Sequence, residues 1–346
     1  MAINAGRTGV GISDLRGEIR VDYTDLMFGY KDPMTWFIRD KIFVQHPLPY
    51  TFGQFRRDLE ETWFKVPDTT VPPTGIPNTI SFGDESVNVA MRWLAQKVEY
   101  DRVDLRQFML KGYMSEQDMI QGGIRKMGRG LKISEEIAAA VVVANTANYN
   151  AAQVKTMAAS GDPVDVYWDD YNNSDPIATI MEMREENRYI NTMAFNYPTL
   201  LVLQQHPKIL GSSVVSAQDR RSADPWVYVE TLKRVFGVEN IHVGMAQGLT
   251  NSSKPSATVK EDVWGNNVWL GYVNPTAGRD PETPTWAKEY FYSVAGVEEY
   301  GGFFVTEYED REVGPFGTLY ERAWKCKQDY VYAKNMGSLI VNPLTP

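Results

Sequence analysis

A chain of 346 residues that is 43% hydrophobic and 12% aromatic carries enough apolar side chain for a substantial core and two or three domains, which excludes a disordered protein. Its net charge of −9, from 44 acidic and 35 basic residues, argues against tight nucleic-acid binding by the protein as a whole, with ordinary solubility as the plainer reading of the balance. Cys326 is the single cysteine, so an intramolecular disulfide framework is excluded and a reducing compartment fits.

Residues 1–47 read as an arm, with glycines at 6, 9, 11 and 17 and no self-sufficient core. Nothing in MAINAGRTGVGISDLRGEIR forms the apolar block of a secretory signal, and no apolar run in the chain is long enough for a membrane span. The arm has apolar anchors at Trp36, Phe37, Ile38, Ile42, Phe43 and Val44, the pattern of a segment that lies across something else.

Residues 48–100 read as two extended limbs, YTFGQFRRDLEETWFKV and ISFGDESVNVAMRWLAQKVEY. In the second, Val87, Val89, Met91 and Trp93 are expected on one face. The joining stretch, VPDTTVPPTGIPNTISFGD, holds Pro67, Pro72, Pro73 and Pro77, each with a fixed φ and no backbone donor. Arg56, Arg57, Glu60 and Glu61 leave no continuous apolar face, so the hairpin is expected to be exposed on both sides.

A helical region follows. Ser115 and Asp118 fit a capping box ahead of Met119, Ile120, Ile124, Met127 and Leu131, and Gly122, Gly123, Gly128 and Gly130 weaken the middle. Ser134 is a good cap for a second segment, with Glu135 and Glu136 placed to favour its dipole, so 115–149 is either one long helix or two. From about 175 the texture is α/β: Asp175-Pro176 opens a helix, MAF is a strand, Asn196 caps YPTLLVLQQHP, and PWVYVETLKRVFG ends at Gly237 before the strand IHVGMA. A hairpin is expected at 262–273 around Gly265-Asn-Asn267, and FFVTEYEDREV, a GPFG turn and TLYERAWKCKQDYVYAKNMGSLIVN close the chain as strands.

The search for chemistry finds no catalytic set. GGIRKMGRGLK and GLTNSSKPS lack the spacing of phosphate loops. Asp165, Asp169, Asp170 and Asp175 are out of register for a calcium loop and read as a solvated turn, while Glu307, Glu309, Asp310 and Glu312 read as the outward face of a strand. His46, His206 and His242 are far apart, so no zinc site is expected; His206 is expected to meet the last carbonyls of a helix. Cys326 has no sequence-adjacent partner for nucleophilic work. No catalytic residue, cofactor or metal is assigned.

The order of parts resembles the major capsid (coat) protein of tailed bacteriophages, the Hong Kong 97-type fold, an α+β architecture. IFVQHP at 42–47 looks like the end of that family's arm, and 48–100 like its extension loop. SEEIAAAVVVANTANY looks like the later part of the spine helix. NTMAFNYPTLLVLQQHPKI, VFGVENIHVG, EDVWGNNVWLGYVNP and KNMGSLIVNP are similar to successive axial-domain and closing segments. The resemblance implies an arm at 1–47, an extension loop at 48–100, a peripheral domain at 101–170, an axial domain at 171–300 and closing strands at 301–346.

The resemblance further implies a non-enzymatic subunit, assembled in the host bacterial cytoplasm into virion hexamers and pentamers that enclose double-stranded DNA without reading its sequence. A separate scaffolding protein, a portal protein and a decoration protein are the implied partners, and no membrane is involved. Trp36, Phe37, Phe43, Arg56, Arg57, Pro72, Pro73, Ile76 and Trp93 are the side chains expected to touch neighbouring subunits. Lys65 lies in the loop, but nothing marks it or a partner asparagine for crosslinking. The rivals are an encapsulin-type shell with enzyme cargo, a soluble α/β enzyme using the carboxylates at 165–175 and 307–312, and a phage tail subunit.

Overall fold

The computed structural model describes residues 18–29, 37–58, 84–110, 115–212, 225–249, 260–278, 283–293, 301–310 and 317–345. The N-terminal side supplies β1 (Glu18–Ile19), α1 (Val21–Gly29), α2 (Arg39–Ile42), β2 (Phe43–Leu48), β3 (Phe52–Asp58), β4 (Asp84–Ala90), β5 (Arg92–Asp101), α3 (Arg102–Leu110) and α4 (Glu116–Ala144). The middle contributes β6 (Val154–Thr156), α5 (Pro176–Glu186), β7 (Thr192–Asn196), α6 (Tyr197–Gln205), α7 (Pro207–Leu210), α8 (Pro225–Phe236), β8 (Asn240–Gly244), β9 (Gln247–Leu249), β10 (Lys260–Asp262) and β11 (Asn267–Gly271). The chain closes with β12 (Ala287–Tyr292), β13 (Phe303–Asp310), β14 (Thr318–Val331) and β15 (Gly337–Val341).

Of the two helical alternatives for 115–149, the structure adopts one: α4 is a single helix of 29 residues. The Ser115 hydroxyl accepts the Asp118 amide at 3.1 Å, as the capping pattern requires. Ser134 is an interior residue, so Glu135 and Glu136 serve no second dipole. Ile120, Ile124, Met127 and Leu131 are buried along one side with Met27, Tyr100, Phe303 and Val305. The glycines make that contact possible: Gly123 faces the Tyr100 hydroxyl and Gly128 the Met27 side chain, where a Cβ would collide. The helix gives up about 1 kcal/mol of propensity at each glycine and gains close approach to α1 and β5.

Beneath α4 runs a six-stranded sheet ordered β1-β13-β14-β12-β2, with β5 on the other edge of β14. β14 is the axis of this sheet, antiparallel to β13, β5 and β12 along different parts of its length. The end of the predicted arm is part of the sheet, since β2 runs parallel to β12 from Phe43↔Ala287 to Leu48↔Tyr292.

A five-stranded sheet, ordered β6-β15-β11-β7-β8, carries α5, α6 and α8 over a core that includes Trp168, Ile180, Leu200, Leu203, Leu232 and Phe236. Its helix starts are those read from the sequence: Asp175 accepts from the Ala178 amide at 3.0 Å and Asn196 from the Thr199 amide at 3.1 Å. Gly237 terminates α8 with φ 65°, a left-handed value that glycine adopts without strain. Between the two sheets Trp269, Trp286, Tyr149 and Phe43 form a second core, with the two indole centroids 5.0 Å apart.

Two local expectations are corrected. The hairpin at 262–273 does not form: β10 pairs with β9, whereas β11 lies between β15 and β7. The second limb of 48–100 is two strands, not one: β4 pairs with β3, and β5 pairs with β14. The break at Met91 changes the parity of the chain. Val87 and Val89 point inward, but beyond the break Leu94, Val98 and Tyr100 take the buried positions and Trp93 turns outward, 44% exposed.

Candidate functional site

The side chains expected at subunit contacts fall in different places. Trp36, Pro72, Pro73 and Ile76 lie outside the described residues, as do Lys65, most of GLTNSSKPS and Glu312. Arg56 and Arg57 occupy β3 opposite Ser86 and Glu85. Phe37 is half-buried beside α2. Phe43 is corrected: it is 1% exposed and its ring meets Trp286 edge-on at 5.8 Å, so this chain's own core occupies it. Trp93 remains accessible on the sheet face away from α4, edge-on to Tyr292, Phe304 and Trp324 at 6.1–6.3 Å. On that face Arg322 lies over Tyr308 and Tyr320, and Lys97 over Tyr320. Phe52, not singled out from the sequence, is 77% exposed at the base of the β3–β4 ribbon.

A buried charge cluster joins arm, long helix and sheet. Arg39 on α2 contacts Glu289 on β12 and Glu135 on α4, the latter at 3.3 Å. Lys325 on β14 lies 2.8 Å from Glu135 and 2.7 Å from Glu289, and Lys327 is 2.8 Å from Asp329. All six side chains are buried, with Glu289 and Lys325 at 0% exposure. Three cations thus face three anions. Burial alone would raise Glu135, yet Arg39, Lys325 and Lys327 hold it down at about 2. Burial lowers Lys325 to about 8 against the opposing pull of Glu135.

Glu136, the next residue on α4, accepts the Ile38 amide at 2.8 Å and the Arg39 amide at 3.3 Å, capping α2, and also the Trp264 indole N–H at 2.7 Å. Burial raises its pKa despite these donors. The sequence signal for the cluster was available in part. Lys325, Lys327 and Asp329 repeat with the period of a strand on the face that buries Ala323, so charges had to point inward. A cavity of about 840 Å³ lies beside the cluster, lined by Arg39, Lys41, Lys132, Glu135, Asn191 and His242 among others.

At the other end of α4, Arg20 donates to Glu307 at 2.6 Å and to Asp22 at 2.8 Å. Glu307 and Glu309 continue the face of Phe303 and Val305 toward α1 and α3, and Arg102 donates to Glu309 at 3.0 Å. They are therefore half-buried ion-pair partners rather than a free outer face.

The remaining groups are structural. Asp175 caps α5, Asp170 accepts from the Asn173 side chain at 2.8 Å, and Asp165 pairs with Lys155 at 2.9 Å. GGIRKMGRGLK is an interior stretch of α4. His206 is corrected: its Nδ1 accepts the Lys208 amide at 3.3 Å, so Nε2–H is left to donate to Ser174 Oγ at 3.0 Å. Burial, with Lys41 and Lys233 nearby, brings His242 down to about 4. Cys326 is buried and pushed up to about 12 by that burial, far from a reactive thiolate. Among the described residues no group of three or more His, Cys, Asp or Glu is arranged to hold a metal, and no helix is long and apolar enough to cross a membrane.

No protein-family model matches the chain. A stretch of 126 residues is 31% identical to the major capsid protein of Burkholderia phage BcepMu, covering 35% of this chain and 37% of that one, so the chain spans little more than a third of that relative. The structural likeness is longer. A phage-related protein from Bordetella bronchiseptica RB50 matches with a TM-score of 0.69 at 18% identity, over 96% of this chain and 99% of the other. The capsid of cyanophage P-SCSP1u gives 0.57 at 9% identity, over 97% and 96%. The SrpI encapsulin of Synechococcus elongatus PCC 7942 gives 0.50 at 10%, over 94% and 97%.

The chain therefore has the Hong Kong 97-type capsid fold, a mixed helix-and-sheet architecture. Within that class a stretch of its sequence resembles a phage major capsid protein.

Proposed function

We propose that the protein is the major subunit of a tailed-phage capsid, assembling with copies of itself as hexamers and pentamers into a virion shell around double-stranded DNA. The observation that carries this reading is the conjunction of a fold shared along almost the whole chain with a phage capsid and local sequence identity to a phage major capsid protein. The buried ion cluster of Arg39, Glu135, Glu289, Lys325, Lys327 and Asp329 fits the same role, because its charges are satisfied against one another inside the subunit. The negative net charge suits a shell wall along which packed DNA must slide. Scaffolding, portal and decoration proteins are the proposed partners, and the host cytoplasm the proposed place of assembly.

The proline-stiffened stretch 66–84 is the proposed tip of a loop that lies on a neighbour. Prolines restrict the free chain, so less entropy is lost on docking, and they remove donors that would pair edges indiscriminately. The encapsulin match keeps one alternative in view, the same fold around an enzyme cargo. Electron microscopy of purified particles with assay of their nucleic-acid and protein content decides between them: DNA-filled shells support the phage reading, and DNA-free shells holding a second protein support the other. Deleting residues 68–80 should leave a folded subunit that forms no stable shell. If the isolated subunit unfolds instead, the loop belongs to its own core and this assignment fails.

A further inference from the structure

Glu307 on β13 and Glu321 on β14 are direct partners across the strand pair. Glu321 is fully buried, and neither of its carboxyl oxygens meets a hydrogen-bond donor among the described residues. A single guanidinium serves the pair. Arg20 reaches Glu307 through Nη1 at 2.6 Å, while its Nε and Nη2 are committed to Asp22 at 3.1 and 2.8 Å.

Among the described residues, the other groups facing Glu321 bring no further cation. Tyr23 lies on α1 under the Arg20 guanidinium, 4.2 Å from Cζ to the ring centre. Tyr100 on β5 points its hydroxyl at the Met119 and Ile120 carbonyls, and α4 packs on this face with Ile120, Ile124 and Met127. Two carboxyl groups therefore share an apolar site with one positive charge, and the cheapest arrangement keeps one of them neutral. The roof of this site is the N-terminal segment itself. β1 pairs with β13, the Arg20 amide bonds the Val305 carbonyl at 2.9 Å, and the Thr24 hydroxyl accepts the Val305 amide at 3.0 Å.

We propose that Glu321, buried opposite Glu307 across the strand pair, keeps its proton while residues 18–29 are docked, and that this proton gates the docking of the segment on the sheet edge. With the segment docked, burial and then the Glu307 charge push Glu321 up to about 8. With the segment lifted, water reaches Glu321 and it returns to the ordinary carboxylate range. A raised value in the docked state means docking is strongest at acid pH. It weakens by up to about tenfold per pH unit from the ordinary carboxylate range up to about 8, then levels off once the docked form has also lost the proton. The gate belongs to the single subunit and does not depend on shell formation.

Hydrogen exchange of the peptide spanning 18–29 in the full-length subunit, corrected for intrinsic exchange from about pH 6 to about pH 9, tests it. Protection should fall with rising pH and level near the top of the range. Glu321→Gln, a neutral mimic of the protonated acid, should keep protection throughout. Should Glu321→Gln fail to fold, Glu307→Gln takes its place: with the like charge gone, Glu321 is raised less in the docked state beside Arg20, so protection falls less and levels off at lower pH. A flat wild-type profile, a Glu321→Gln profile with the wild-type slope, or an unmoved Glu307→Gln profile overturns the proposal.

Discussion

Replacing Arg39 by methionine removes one cation from the six-membered buried cluster and leaves Glu135, Glu289 and Asp329 facing Lys325 and Lys327 alone. Glu289 suffers most, because it is fully buried and Arg39 is one of its two close partners. Methionine retains much of the apolar stem, so the cost is mainly an uncompensated buried charge, about 3–5 kcal/mol. Set against a total stability of about 5–15 kcal/mol, that is a large fraction. Urea unfolding followed by tryptophan fluorescence is suited to the measurement, since Trp264, Trp269 and Trp286 sit in the adjoining core. The pair Arg39→Met with Glu289→Gln restores the charge balance, and most of the loss should return. If Arg39→Met costs less than about 1 kcal/mol, or the double variant is no more stable than the single, the cluster is not the balanced unit described above.

Acid should open the same cluster. Glu135 sits at about 2 against an ordinary value of 4.5, so the stability it contributes is present above the ordinary range and is lost as pH falls between those values, about 3 kcal/mol in all. Urea midpoints measured through that window should fall in the wild type, and the part due to Glu135 should be missing from Glu135→Gln. On α4 two neighbouring glycines should respond with opposite sign. Gly123→Ala drives a methyl into the Tyr100 hydroxyl and costs about 1–3 kcal/mol. Gly122→Ala meets nothing within 4 Å and gains up to about 1 kcal/mol; thermal melts with shifts of the same sign would count against the close helix–strand approach. Phe52→Ser should change subunit stability by no more than about 0.5 kcal/mol while lowering particle yield, and equal yields would remove this side chain from the assembly surface.

Helix starts were legible because capping is local: Ser115, Asp175 and Asn196 each bond an amide three residues on, and Gly237 needs only its own φ. Strand partners were not. The stretch around Gly265-Asn-Asn267 has the composition of a hairpin, yet Asn267–Gly271 pairs with residues near 192 and 337 instead, a choice made by the core and invisible to turn chemistry. Trp93 was misplaced for a related reason, since one irregular residue at Met91 reverses every later side chain in an alternating pattern. Glu135 and Glu136 look like first-turn acids because Ser134 precedes them. Their true role depends on Arg39, Lys325 and Ile38, whose positions relative to α4 only the folded chain supplies.

β14 pairs with two strands made just before it, β12 and β13, and with one made long before, β5. β5 waits for the 318–327 stretch, roughly two hundred residues downstream, before its ladder exists. At a translation rate of about 5–20 residues per second that interval is on the order of ten to forty seconds. Throughout it β5 and its Trp93 face have no sheet to join, and Glu135 has neither lysine to neutralise it. The six-stranded sheet is therefore timed by synthesis: its central strand is made only after every other strand of that sheet.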